Sequence, residues 1–140
     1  MDVSCRAILL ISALCLACVL GGAPAQAQTI SGTPGIALKS GESFELGDAY
    51  WISSTCNSML VGTPEVEILD GPPGVTVTVK EAMVTPRYWN CAKPVRGGKV
   101  VVAANDIDHP SYTTFTIRFK FKGRDGDRLR SRVYKLSLFP

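Results

Sequence analysis

Phe115-Thr116-Ile117-Arg118-Phe119-Lys120-Phe121-Lys122 alternates without a fault between apolar and polar residues. Successive side chains of an extended chain point to opposite faces, so Phe115, Ile117, Phe119 and Phe121 share one side of a strand. Thr116, Arg118, Lys120 and Lys122 share the other. A helical period would scatter both sets. The stretch therefore reads as a strand with one buried and one solvated face, the pattern of an antiparallel sheet.

Residues 128–138 form the next extended run, and Asp125-Gly126 between them marks a turn. A two-residue loop at Asp125-Gly126 opposes Phe121 with Arg130 and Phe119 with Arg132, which sets charge on the apolar face. A three-residue loop of Arg124-Asp125-Gly126 avoids this. It opposes Phe121 with Leu129 and Ile117 with Val133, and it places Gly126 in the left-handed region that such loops use. The expected register is therefore the second one. It requires a bulge near Tyr134-Lys135, because Leu136 and Leu138 have the opposite parity.

Working outward from this hairpin, the chain keeps offering short extended runs. Ile36–Leu38, Ser43–Leu46, Tyr50–Ile52, Glu65–Ile68, Val75–Val79 and Val100–Ala104 are separated by Gly, Pro and Asp, with Asp70-Gly71-Pro72-Pro73-Gly74 the strongest turn. No segment after the N-terminal leader carries a helical apolar period over ten or more residues. The expectation is an all-β fold: a small antiparallel two-sheet sandwich of about seven or eight strands, immunoglobulin-like, with a small barrel as the alternative. An immunoglobulin domain carries Tyr two residues before its second inter-sheet cysteine, where this chain has Trp89. The cysteines also follow strands rather than sit in them. The expected disulfide thus clamps two loops.

The first 27 residues read as an address. Arg6 supplies the positive start, residues 7–20 are almost continuously apolar, and Ala25-Gln26-Ala27 is the small-x-small pattern of a signal-peptidase site. Cleavage is expected after Ala27, leaving residues 28–140 as a single domain of 113 residues (140 less 27). The apolar run is shorter than the roughly 20 residues of a membrane span. The mature chain is expected to have no transmembrane segment and to be periplasmic or secreted. A lipid anchor at Cys18 is the less favoured alternative. Cys5, Cys15 and Cys18 leave with the signal, so Cys56 and Cys91 remain, an even count that argues for one disulfide in an oxidising compartment.

The net charge of +3 conceals a division. Residues 28–86 carry two basic and seven acidic groups, net −5; residues 87–140 carry twelve and four, net +8. In the expected register Arg118, Lys120, Lys122, Arg128, Arg130 and Arg132 fall on one face of the hairpin. Either an acidic strand bearing Glu65 and Glu67 neutralises them, or they form an anion-binding face for an acidic glycan or an acidic envelope protein. Two Tyr-Trp pairs flank the cysteines. Tyr50, Trp51, Tyr88 and Trp89, with Arg87 alongside, are a candidate aromatic platform for a sugar or peptide.

Catalytic chemistry finds little footing. His109 is the only histidine, which excludes sites needing two. Asp108, His109 and Ser111 are too close along one loop for a triad, and no G-x-S-x-G elbow occurs. Asp106-x-Asp108 lacks the rest of a calcium loop. No catalytic residue, metal site or cofactor is expected, and nucleic acid is not an expected partner. The function expected is that of an exported, non-catalytic binding or accessory module of the cell envelope. A small secreted hydrolase and a strand-donating structural accessory are the alternatives.

Overall fold

The computed structural model describes residues Thr33 to Pro140. The expected export signal over 1–27, its expected cleavage point and Cys5, Cys15 and Cys18 lie outside the described residues. Among the described residues seven strands follow one another without a helix: β1 Gly35–Lys39, β2 Ser43–Ala49, β3 Glu65–Asp70, β4 Val75–Val84, β5 Val95–Ala104, β6 Ser111–Gly123 and β7 Gly126–Phe139. Among the described residues no helix is long and apolar enough to cross a membrane. Tyr50–Ile52, expected as a strand, contributes one isolated bridge, Ile52 to Ser58.

Two sheets form, ordered β1-β7-β6-β3 and β2-β5-β4. Alternation explains what lies between them. Phe115, Ile117, Phe119 and Phe121 of β6 are buried with Tyr134, Leu136 and Leu138 of β7, Ile36 and Leu38 of β1, and Val100, Val102 and Ala104 of β5. Phe115 and Tyr134 meet with ring centroids 5.6 Å apart. One pairing departs from the antiparallel expectation: β1 lies parallel to β7, Gly35 opposite Lys135 and Lys39 opposite Phe139. β1 therefore pairs with only the last five residues of β7, Lys135–Phe139.

The hairpin corrects the expected register. Gly123 opposes Gly126, so the loop is two residues, Arg124 and Asp125. Phe121 then faces Arg128, Phe119 faces Arg130 and Ile117 faces Arg132, with no bulge at Tyr134-Lys135. The physical reason is a competition of parities along β7. One set is Leu129 and Val133; the other is Tyr134, Leu136 and Leu138. Burying three large side chains gains more than burying two, at roughly 1.5–3 kcal/mol each. Leu129 and Val133 accordingly remain 58% and 46% exposed, while Leu136 and Leu138 are at 1%.

Gly126 does adopt a positive φ of 120°. A Cβ placed there meets nothing within 4 Å. Gly126→Val is expected to cost about 1–2 kcal/mol through backbone strain alone. Urea unfolding of the variant measures it, and an unchanged midpoint would contradict that backbone conformation.

Candidate functional site

The split of the hairpin cations follows from the register. Paired residues of an antiparallel ladder point to the same side. Arg118, Lys120 and Lys122 lie on the outer face of the four-stranded sheet; Arg128, Arg130 and Arg132 lie on the inner one. The expected single face of six cations is thus two faces of three.

The outer three are neutralised. Glu67 opposes Arg118 across β3 and β6, and its carboxylate takes the guanidinium Nε at 2.7 Å. Lys122 donates to the Glu65 carboxylate. Lys120 Nζ lies 3.4 Å from Asp127. The Lys122 hydrogen bond, and then its charge, holds the Glu65 carboxyl below its ordinary pKa. Glu65 in return pushes Lys122 up. The sign follows for each partner. The Glu65 contribution is present above the ordinary carboxylate range and fades as pH falls through its lowered value. That of Lys122 is present below the ordinary lysine range and fades as pH rises through its raised value. The pair is therefore intact across neutral pH.

The inner three have no such partners. Among the described residues, no carboxylate lies within ion-pair distance of Arg128, Arg130 or Arg132. Their stretch of β7 extends past β1, and every residue of Gly126–Val133 is exposed. Here the two sheets part and leave a cavity of about 600 Å³. Phe119, Phe121, Val100 and Tyr134 form its floor, Leu46–Ala49 of β2 one wall, and the three arginines the other. An arginine can lay its apolar stem along apolar surface while its guanidinium head stays in water, and all three arginines are exposed beside Phe119 and Phe121 in the cavity lining. That is why three charges are tolerated opposite Phe121, Phe119 and Ile117.

The candidate aromatic platform closes the same cavity. Tyr50, Trp51, Arg87, Tyr88 and Trp89 all line it. Trp51 is half-buried against the core, and the Arg128 guanidinium sits 5.9 Å from its ring centroid, a cation–π distance. Gly123 makes room for it, since a Cβ there would meet the Trp51 ring at 2.3 Å. Tyr50 accepts a hydrogen bond from the Arg87 backbone N–H at 3.0 Å, and its ring lies 6.5 Å from that of Tyr88. Tyr88 and Trp89 are each 62% exposed. Cys56 and Cys91 are bonded, S–S 1.99 Å, and tie the loop before β3 to the loop before β5. Those two loops carry all five platform residues.

The fold thus gathers three of the six candidate cations, Arg128, Arg130 and Arg132, and the five candidate platform residues around one cavity, and leaves Arg118, Lys120 and Lys122 elsewhere. Asp48, in the β2 wall, was not singled out. Its Oδ1 is sealed from solvent without a well-aligned donor, and lies 2.6 Å from Lys99 Nζ. Asp48 first, and then Glu45, raises the Lys99 pKa. That carboxylate is therefore already engaged by Lys99. Asp108 and His109 lie exposed in the β5–β6 loop, and no hydrogen bond joins them to each other or to Ser111. Among the described residues no three metal-ligating side chains come together.

Compared with protein-family models, with curated proteins and with solved structures, the chain matches none.

Proposed function

We propose that the chain is an exported, non-catalytic β-sandwich of immunoglobulin-like topology. It serves the cell envelope as a binding module, and it takes an anionic ligand in the cavity between its sheets. The strand orders support the fold reading. With β1 to β7 lettered A to G, the sheets are B-E-D and C-F-G, the immunoglobulin grouping, with A moved beside G. Export agrees with the signal-like leader and the Cys56–Cys91 disulfide.

The observation that carries the ligand reading is the unequal treatment of the two cation triplets. A fold that neutralises Arg118, Lys120 and Lys122 leaves Arg128, Arg130 and Arg132 lining a partly apolar cavity with aromatic rings at its rim. Concave, mostly apolar sites with a few placed charges are what ligand pockets are made of. The test is a titration followed by tryptophan fluorescence, with a galacturonic acid trisaccharide and tripolyphosphate as probes at low and high salt. Saturable binding that salt weakens is expected. Arg128→Gln, Arg130→Gln and Arg132→Gln together should abolish it, while Lys120→Gln with Lys122→Gln should leave it unchanged. Dependence on the outer pair instead would overturn the reading.

A further inference from the structure

The anionic ligand has a geometry as well as a charge. Arg128, Arg130 and Arg132 alternate along one strand, so their stems repeat every about 6.6 Å. Among the described residues the same stretch of β7 is a sheet edge with no strand paired to it. β6 occupies one side of it, and β1 begins only at Gly35 opposite Lys135. The Lys135 N–H points towards β1, donating to the Pro34 carbonyl at 2.9 Å. Alternation therefore directs the backbone groups of Asp127, Leu129, Ser131 and Val133 to that open side. Among the described residues no backbone hydrogen bond reaches it.

We propose that the occupant of this cavity is an extended acidic strand of a partner protein, added to the β7 edge over 127–133. This deepens the anion-binding reading and rests on it. A strand paired to β7 has the same two-residue repeat as β7 itself. Carboxylates at its alternate positions then lie over Arg128, Arg130 and Arg132 in register, with no strain in either chain. Its intervening side chains fall on the outer face, where Leu129 and Val133 stand exposed and adjacent to the open edge. The edge supplies affinity through main-chain hydrogen bonds, and the arginines select the sequence. The chain's own Gln28-Thr29-Ile30-Ser31-Gly32 contains no carboxylate and could not neutralise the triplet. A saccharide would satisfy the arginines but leave the edge amides unpaired.

The test compares two blocked heptapeptides of one composition: Val-Glu-Val-Glu-Val-Glu-Val, and an isomer with its three glutamates contiguous. Binding to the whole mature protein is read by tryptophan fluorescence, and amide exchange by NMR. The alternating peptide is expected to bind at least about tenfold more tightly, a difference of about 1.4 kcal/mol. It should also slow exchange at Asp127, Leu129, Ser131 and Val133. Equal binding of the two isomers, or binding without protection of those amides, overturns strand addition. So does tighter binding of the galacturonic acid trisaccharide than of the alternating peptide. In each of these cases loss of binding in the triple arginine variant still upholds the anionic cavity. If neither peptide nor either small anion binds, both readings fall.

Discussion

Cys91→Ser, made together with Cys56→Ser to leave no stray thiol, is expected to lower the unfolding free energy by about 4 kcal/mol. The figure comes from the ring the bond closes. Its ends are 35 residues apart in sequence, and cross-linking a loop of that length removes most of its closure entropy from the unfolded chain. A domain of this size is stable by only about 5–15 kcal/mol, so the loss consumes a large share. The bond also sits in apolar packing separate from the main core. Ile52, Val84, Cys91 and Val95 form a small cluster of their own. Urea unfolding with and without reductant measures the effect. A midpoint insensitive to reductant would remove the bond from the stability account. A second readout concerns the cavity. Tyr50 and Trp51 are held on one bonded loop and Arg87, Tyr88 and Trp89 on the other. Ligand affinity should therefore fall even where the reduced protein remains folded.

Leu136→Ala should cost about 2–5 kcal/mol, and Leu129→Ala less than about 0.5 kcal/mol. Both leucines are on β7 and both substitutions delete the same atoms. They differ in the face they occupy: Leu136 is 1% exposed and Leu129 is 58% exposed. The comparison therefore measures the hairpin register itself. In the register with a three-residue loop and a bulge at Tyr134-Lys135, Leu129 points inward as well as Leu136, and both losses are costly. Equal denaturant slopes for the two variants would confirm that both report stability rather than a changed unfolded state.

That register is also where sequence reasoning reached its limit. The alternation of 115–122 sufficed to make β6 a half-buried strand, and the Gly/Pro punctuation located most of the others. Clamping of two loops by Cys56 and Cys91 followed from the cysteines lying outside strands. What failed was a rule applied without its boundary. Charge avoids the buried face only where that face is covered. β1 covers residues 135–139 of β7 and no more. Nothing local in Arg128-Leu129-Arg130-Ser131-Arg132 announces where a distant parallel strand stops. The aromatic pairs had the same difficulty. Tyr50-Trp51 and Tyr88-Trp89 were legible as clusters near bonded cysteines, but their convergence with the arginines depends on how the sheets part. A clue was present in the parity break after Val133, where assuming a bulge rescued the wrong register.

The pairing of β1 with β7 also orders events in time. Every neighbour contact of the four-stranded sheet involves β6 or β7. A growing polypeptide that ends before Ser111 can assemble β2, β5 and β4 but nothing of the larger layer. Such long-range pairings are slow to form, since loop closure precedes any reward from contacts. The larger layer can be completed only once β6 and β7 have both been made. The proposed export as an unfolded thread would gain from this late closure, which leaves the larger layer open until β6 and β7 are both made.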